Sequence, residues 1–179
     1  YTLLDKDGNE VSTTPAYAED GTTPIGTFTV DKATGVVTFT PTDKSYTGKV
    51  TPVKVQSESS NGIKVDTTYT PEIVPVTPTA TPAETTDIQG ATQKGKPEFK
   101  GGTVTVDGVE KTVPINEDVP ATFEDGSTTK TVEGVGTYTV AADGTVTFVP
   151  EKSFVGTAPA VTVVREDKNG TKASATYTP

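Results

Sequence analysis

The chain contains two related copies of one segment, and this internal repeat constrains its fold more than any single motif does. Residues 45–71 align with residues 153–179 without a gap at an offset of 108, and twelve of the 27 aligned pairs are identical. Both segments carry an Asn-Gly dipeptide and both end in Thr-Tyr-Thr-Pro. Self-similarity at this spacing is typical of tandem domains. We therefore expect the chain to be part of an array of repeats. Such an array acts through its length or through the number of repeats that it presents, and not through chemistry.

The similarity continues upstream with small gaps and then becomes ambiguous. Residues 120–126 have two possible partners in the first copy, either residues 15–21 or residues 2–8. In both alignments the first copy lacks the opening of the second. The clear upstream matches are residues 26–30 with 136–140, and residues 35–41 with 144–150.

These alignments predict a division of the chain into three parts. Residues 1–71 form a partial first repeat, truncated at its N-terminus, and residues 85–179 form a complete second repeat. Residues 72–84 are a Pro-rich junction leading into the second repeat. Proline-rich segments are extended and semi-rigid, so the junction is expected to hold the two domains apart.

The residue types that the chain lacks exclude most enzyme classes. The sequence contains no cysteine, histidine, tryptophan or methionine. Without cysteine there are no disulfides, thiol nucleophiles or thiolate metal ligands, and without histidine the commonest general base is absent. We predict that the chain is not an enzyme and that it has no catalytic, cofactor-binding or metal site.

Charge and hydropathy limit the classes of partner and the cellular locations that fit this sequence. The net charge of −9 argues against nucleic acid as a partner, because phosphate binding needs a basic surface. No apolar run approaches the roughly 20 residues that cross a bilayer, so we expect no membrane insertion. No secretion signal is present, which leaves a cytosolic chain or a part of a larger exported protein. The partial first copy and the Thr-rich, Cys-free composition favour a bacterial surface protein.

Alternation of apolar and polar residues predicts an all-β fold, because most segments have period two and end at Gly, Pro, Asn or Asp. Side chains that face one way across a hairpin pair with a constant sum of residue numbers. This rule leaves three-residue loops at 60–62, 142–144 and 168–170 and a four-residue loop at 32–35, with glycine left-handed in the three-residue loops. The predicted pairs are Phe28 with Phe39, Val30 with Val37, Tyr138 with Phe148, Val140 with Val146, Val53 with Tyr69, Val55 with Thr67, Val161 with Tyr177, and Val163 with Ala175.

The second copy offers roughly seven strands, a number typical of a β-sandwich. Asp107-Gly108 between two apolar runs predicts a two-residue type I′ turn. Parallel βαβ units are not expected, because no segment between strands is long enough for a crossover helix. We thus predict two tandem β-sandwich-like repeat domains.

Six short motifs follow one another in the second copy. Taken in order and spacing, they resemble the CshA-type fibril repeat of Gram-positive cell-wall adhesins, and the first copy matches through residues 26–71. The motifs are Gly136-Thr-Tyr-Thr-Val140, Gly144-Thr-Val-Thr-Phe-Val-Pro150, Phe154-Val-Gly156, Val161-Thr-Val163, Asp167-Lys-Asn-Gly170 and Ala175-Thr-Tyr-Thr-Pro179.

The resemblance implies a structural stalk or spacer module of a fibrillar adhesin. Such a module is anchored to the cell wall through its parent protein and projects a distal binding region from the bacterial surface. Its partners are the neighbouring repeats of the same chain and, through the parent protein, a host surface protein or glycan. The alternative is that each repeat is itself an adhesive module for a host protein or glycan. The family has no catalytic motif to carry over.

Acidic clusters are the first candidates for chemistry. Residues 5–10 place carboxylates beside a glycine turn, but their spacing does not fit a calcium loop, and a bulged turn at Gly8 explains the same residues. The pairs Glu19-Asp20 and Glu124-Asp125 cannot each straddle a substrate bond, because neighbouring residues on a strand point to opposite faces. Solvated turns are the preferred interpretation of both pairs.

Lysine, asparagine and aromatic residues are the remaining candidates. Three lysines near residue 97 are interpreted as solvating the opening of the second domain, with docking of an acidic partner as the alternative. Asn116 is the one plausible acceptor for a Lys–Asn cross-link, since the other three asparagines lie in predicted turns. Most aromatic residues have inward parity, which leaves three candidates for surface contacts. The lysines are Lys94, Lys96 and Lys100, and the surface aromatics are Tyr17, Tyr46 and Phe99.

Overall fold

The computed structural model describes all 179 residues and consists of strands, turns and loops without a helix. The all-β prediction is confirmed. The chain divides into two compact units, unit 1 (Tyr1–Pro75) and unit 2 (Val76–Pro179). No helix of a length and apolarity that would cross a bilayer is found.

Unit 1 is built from nine strands in two main sheets. One sheet has the order β2-β1-β7-β8 and the other β3-β4-β5, while β6 and β9 form a separate pair. The strands are β1 (Thr2–Leu4), β2 (Glu10–Val11), β3 (Thr13–Tyr17), β4 (Pro24–Val30), β5 (Val37–Pro41), β6 (Gly48–Lys49), β7 (Val53–Glu58), β8 (Lys64–Tyr69) and β9 (Glu72–Ile73).

The core of unit 1 lies between its two main sheets. Leu3 of β1 and Val55 of β7 come from one sheet, and Phe28 of β4 comes from the other. All three side chains are buried, in line with the alternation of apolar residues along each strand. Two facing sheets with one apolar interior make a β-sandwich.

Unit 2 contains twelve strands and a similar pair of sheets. The order of one four-stranded sheet is β11-β21-β20-β16 and that of the other is β12-β19-β18-β17, with β10-β13 and β14-β15 as two-stranded ribbons. The strands are β10 (Thr79–Thr81), β11 (Ala83–Glu84), β12 (Gln93–Gly95), β13 (Glu98–Lys100), β14 (Gly102–Val106), β15 (Val109–Val113), β16 (Thr122–Phe123), β17 (Thr129–Val132), β18 (Gly136–Val140), β19 (Val146–Pro150), β20 (Val161–Glu166) and β21 (Lys172–Thr178).

Aromatic and valine side chains from both sheets fill the core of unit 2. Tyr138 and Phe148 face each other across β18 and β19, with ring centroids 4.9 Å apart. Val163 and Tyr177 enter from the opposite sheet, and both are fully buried. The predicted sandwich is therefore present in each unit.

The hairpin registers follow the parity rule. All eight predicted pairs are observed. The loops close as expected, for example through the Ala141 amide, which donates to the Thr145 carbonyl at 2.8 Å. Gly62, Gly144 and Gly170 have φ values of 82°, 95° and 80°. Asp107 and Gly108 have φ values of 50° and 76°, as a type I′ turn requires.

The second repeat contains more strands than the alternation pattern predicts. The expected seven strands omit the short strands of the opening segment, which are two or three residues long and carry no readable alternation. One of them, β11, pairs in parallel with β21, so that Ala83 lies opposite Tyr177. Most of the sequence of unit 2 lies between these two strands and forms the rest of the sandwich. The parallel pair is therefore connected without a crossover helix.

Strands also occur within the predicted junction. Glu72–Ile73 pairs with β6 in unit 1, whereas Thr79–Thr81 and Ala83–Glu84 pair within unit 2. The boundary between the two compact units lies between Pro75 and Val76. The division at residues 71 and 84 stays a prediction of where the repeats begin and end.

The structure also decides between the two upstream alignments. Leu3 pairs with Val55 in the way that Phe123 pairs with Val163, so residues 2–8 are the counterparts of the segment around Phe123. The Tyr1 amino group donates to the Lys32 carbonyl at 3.1 Å, and the Ala121 amide donates to the Ala142 carbonyl at 3.0 Å. Tyr1 is thus the structural equivalent of Ala121.

Candidate functional site

The two Glu-Asp pairs lie in turns, where the aspartates bind their own backbone. Asp20 accepts hydrogen bonds from the amides of Thr22 and Thr23, both at 2.9 Å, and from the Thr23 hydroxyl at 2.5 Å. These bonds, the Thr23 hydroxyl first, lower the pKa of Asp20 to about 2. Asp125 accepts from the Ser127 hydroxyl and amide, which lower its pKa. Each aspartate is a turn-closing group, and a lowered pKa does not suit a general acid.

The carboxylates of residues 5–10 are likewise engaged within the fold. Asp5 accepts from the Asp7 amide at 2.9 Å, from the Asn9 amide at 2.8 Å and from the Asn9 side chain at 3.2 Å. Glu10 forms an ion pair of 2.7 Å with Lys64. Both oxygens of Asp5 are used inside a turn whose Gly8 has a φ of 83°. The bulged turn accounts for the segment.

The lysine and asparagine candidates have local partners as well. Lys96 lies 3.6 Å from Asp143, and Lys94 and Lys100 are exposed. The side-chain oxygen of Asn116 accepts a hydrogen bond from the Asp118 backbone amide at 3.1 Å, and the Asn116 backbone amide donates to the Glu166 carbonyl at 2.9 Å. Asn116 therefore occupies a turn of its own, like the other asparagines.

Two of the three aromatic residues singled out as surface candidates are structural. The Tyr46 hydroxyl donates to the Lys49 carbonyl and accepts from the Glu19 amide at 3.1 Å. Phe99 of β13 packs against the core of unit 2. Tyr17, at the end of β3, is partly buried beside a cleft of about 320 Å³ in unit 1. Asp5 borders the same cleft, but its oxygens already serve the turn.

The units differ most along one side of the sandwich. In unit 2, β11 extends the sheet at β21 and β12 extends the facing sheet at β19. The equivalent strands of unit 1 are β8 and β5, and both end their sheets without a further partner. We call this edge pair, β5 together with β8, the open side of unit 1.

Burial of equivalent residues records this difference. Tyr177, Val146 and Phe148 of unit 2 have exposed fractions of 0, 0 and 1%. Their counterparts in unit 1 are Tyr69, Val37 and Phe39, which are only partly buried. The inward parity predicted for Tyr69 and Phe39 is correct, but no further strand of unit 1 pairs with β8 or β5 beside them. The neighbouring Val36, Ile63 and Val65 are each at least 60% exposed.

The opening segment of unit 2, residues 83–95, recognises Tyr177 in two ways. The Thr85 hydroxyl lies 2.5 Å from the Tyr177 hydroxyl and donates to the Gln93 side chain at 2.6 Å. Gly95 crosses the tyrosine ring so closely that a Cβ atom there would lie 2.1 Å from it. Burial raises the pKa of Tyr177. Sequence reasoning missed this contact, and a lone glycine in a short polar strand was its single signal.

Comparison with known families assigns both units. The family described as "Surface adhesin CshA repetitive domain" matches residues 1–73 and 75–179. Among solved structures, the chain is similar to the NMR structure of repeat domain 13 of the fibrillar adhesin CshA from Streptococcus gordonii. That match is 63% identical, covers 37% of this chain and 86% of that chain, and has a TM-score of 0.23. No significant match is found among curated proteins. Because the two family matches span nearly the whole sequence, the chain belongs to the CshA surface adhesin repetitive domain family and carries two of its repeats.

Proposed function

We propose that this chain is a structural stalk segment of a fibrillar adhesin on a bacterial cell surface. The parent protein is anchored to the cell wall, and its repeats project a distal binding region away from the cell. Membership of a surface adhesin repeat family supports this location and role. The neighbouring repeats of the same chain are then the principal partners.

The repetition of a self-contained core is the observation that carries the proposal. Each unit buries its own aromatic and aliphatic cluster between two sheets. The polar groups of the turns are used up in closing those turns, as at Asp20 and Asp125. A repeat of this kind folds around its own core and needs no binding or catalytic site to do so. Each added repeat therefore adds length to the array.

Small-angle X-ray scattering on end-to-end copies of the full chain tests the stalk. We expect the radius of gyration to double, approximately, when one copy becomes two, since length dominates a rod. A compact particle would grow only about 1.3-fold, and that result would contradict the proposal. As a matched control, Gly/Ser inserts both between Pro75 and Val76 and between the two copies make every joint flexible, and growth then falls toward roughly 1.4-fold.

Exposed aliphatic residues in unit 2 favour one second candidate, a repeat that is itself adhesive. Ile88 and Val155 are 78% and 68% exposed and border a cleft of about 240 Å³ together with Phe154. Exposed apolar groups around a concavity are typical of contact surfaces. The test compares the full chain with an Ile88→Ser/Val155→Ser variant for saturable binding to host cells, before and after enzymatic removal of surface glycans. Binding that the variant loses would support the adhesive module, and no saturable binding leaves the stalk.

A further inference from the structure

We propose that unit 1 binds a carboxylated sugar, such as a uronic acid residue of a saccharide, in the cleft of about 320 Å³ beside Tyr17. The walls of this cleft come from the end of β1, from β3 and from the start of β7, and every residue that lines it belongs to residues 4–54. Tyr1 lies at the opposite end of β1, where its amino group binds the Lys32 carbonyl. The proposal goes beyond the stalk role, because a spacer needs no ligand.

The first argument is a core substitution that leaves room for the cleft in unit 1. Phe28 stands at the position of Tyr138, whose hydroxyl donates to the Pro159 carbonyl at 2.7 Å in unit 2. The residue aligned with Pro159 is Thr51, and both Phe28 and Thr51 line the cleft. Because phenylalanine has no hydroxyl, the bond that ties the two sheets together at this point in unit 2 cannot form in unit 1.

The connection between β3 and β4 supplies a second wall that unit 2 lacks. It spans residues 18–23 in unit 1, whereas residues 133–135 connect the equivalent strands β17 and β18. Thr51 holds the longer loop in place, since its amide donates to the Tyr17 carbonyl at 2.9 Å and its hydroxyl to the Ala18 carbonyl at 2.6 Å. The cleft is therefore a built feature of unit 1.

The charge around the cleft points to an acidic ligand. The chain carries a net charge of −9, yet two lysines and a single carboxylate border this cleft. Lys6 and Lys54 are exposed and form no ion pair. The carboxylate is Asp5, whose oxygens accept the hydrogen bonds of its own turn. Two free ammonium groups favour a ligand with a carboxylate, because hydrogen bonds between charged groups are the strong ones.

Free hydroxyl groups and apolar rings point to a sugar. Thr14 is 7% exposed and lines the cleft, and its hydroxyl has no hydrogen-bond partner within the protein. The Tyr17 hydroxyl is also unpartnered, and its ring borders the cleft together with Pro15 and Pro52. A sugar presents hydroxyls for Thr14 and Tyr17 and a C–H face for the rings. The cleft volume is at the lower end of the range for small-molecule sites, about 300–1,000 Å³.

The walls are less suited to an acidic peptide, which is commonly held through backbone hydrogen bonds. Strand β3 is the edge of its sheet, and Pro15 within it has no N–H group to donate. The carbonyls of Tyr17 and Ala18 already accept from Thr51. A peptide backbone thus finds few partners here, and peptide binding forms one outcome of the test.

Titration of the ¹⁵N-labelled full chain with methyl β-glucuronide, followed by NMR, tests the proposal. We expect saturable shifts at the amides of Thr14, Tyr17, Gly21 and Lys54, with a dissociation constant on the order of 1 mM for a ligand of this size. The amides of unit 2 serve as the internal control and should not shift. Methyl β-glucoside keeps the ring without the carboxylate, and it should bind at least about tenfold more weakly.

Variants of unit 1 separate the contributions of charge and shape. The double variant Lys6→Gln/Lys54→Gln should weaken binding of the glucuronide about tenfold. Its matched control is Lys32→Gln, which removes a lysine at the far end of β1 and should leave the affinity unchanged. Phe28→Tyr introduces the hydroxyl that Tyr138 carries in unit 2, so it should narrow the cleft and weaken binding by about tenfold or more. The dispersion of the amide signals shows that each variant is folded.

Three results would overturn the proposal. The first is the absence of saturable shifts at the cleft when the glucuronide exceeds the expected constant about tenfold. The second is equal affinity for glucuronide and glucoside, or a loss of affinity in Lys32→Gln that matches the loss in the double variant. The third is tighter binding of a blocked Gly-Glu-Gly peptide at the same amides, which would assign the cleft to a carboxylate of a protein.

Discussion

At the scale of single residues, the same device closes most turns of both units. An aspartate starts the turn and accepts a hydrogen bond from the amide two residues later, as in Asp31 with Ala33, Asp43 with Ser45 and Asp143 with Thr145. Aspartate suits this role because its short carboxylate reaches the backbone of the next residues. In a chain whose core contains few large side chains, these bonds fix the loops that set the hairpin registers.

These aspartates make the stability of the fold dependent on acid. The hydrogen bonds lower the pKa of Asp5, Asp20, Asp31, Asp43, Asp125 and Asp143 below the ordinary value of 3.8. The unfolded chain therefore binds protons before the folded chain does. Their contribution is present above pH 3.8 and is lost as the pH falls through the folded values, which for Asp20 means about 2.

We accordingly expect the urea midpoint to be level between pH 7 and 5 and to fall between pH 4 and 2. Urea unfolding by tyrosine fluorescence across this range measures the effect. Asp20→Asn keeps an acceptor oxygen and removes the titrating proton, so it should reduce the slope near pH 2 to 4. A midpoint that is constant or rises on acidification contradicts the assignment.

The sequence predicted residue roles where the cause is local. Glycine positions and side-chain parity depend on a few neighbouring residues, and Gly62, Gly144 and Asp107-Gly108 adopt the expected backbones. The contact of Thr85 with Tyr177 joins residues 92 positions apart. No local pattern in a Thr-rich chain distinguishes the one threonine that meets a buried hydroxyl.

At the scale of elements, one strand behaves differently in the two units because its neighbours differ. Strand β19 lies between β18 and β12, whereas its counterpart β5 has a partner only in β4. Phe148 is 1% exposed, and Phe39 is partly buried at the same position. The burial of the phenylalanine at this position thus depends on a segment far away in the sequence.

Paired alanine substitutions measure that dependence. We expect Phe148→Ala to lower the free energy of unfolding of unit 2 by about 3–5 kcal/mol, the range for a fully buried phenylalanine. Phe39→Ala should cost unit 1 about half as much, because solvent already reaches the ring and no closed cavity forms. Urea unfolding followed by resolved NMR signals of each unit gives both values. Equal costs would mean that the open side is covered in solution.

The elements also show which part of the fold was predictable. The four hairpins follow from period-two alternation and turn chemistry, since their pairings are close in sequence. Strands β11 and β12 were missed because each has only two or three residues. Their sheet positions depend on pairing with β21 and β19, which alternation cannot report.

At the scale of the whole molecule, the repeat produces two cores from one plan. The cluster of unit 1 centres on Leu3, Phe28 and Val55, and that of unit 2 centres on Tyr138, Phe148 and Val163. The two clusters share no residue. Cooperative unfolding follows the packing of a core, so each unit is expected to be its own unfolding unit.

Two core substitutions test this independence in differential scanning calorimetry of the full chain. We expect two transitions, with unit 1 melting first because its open side leaves Tyr69 and Phe39 partly exposed. Leu3→Ala removes a fully buried side chain and should affect only the first transition. We expect it to lower the free energy of unfolding of unit 1 by about 2–5 kcal/mol, or to abolish that transition. Val163→Ala should lower only the second, by about 2 kcal/mol, which corresponds to several degrees for a domain of this size. If either substitution shifts both transitions equally, or if one transition accounts for the whole enthalpy, the repeats unfold as a single body and the two-core description of the chain is wrong.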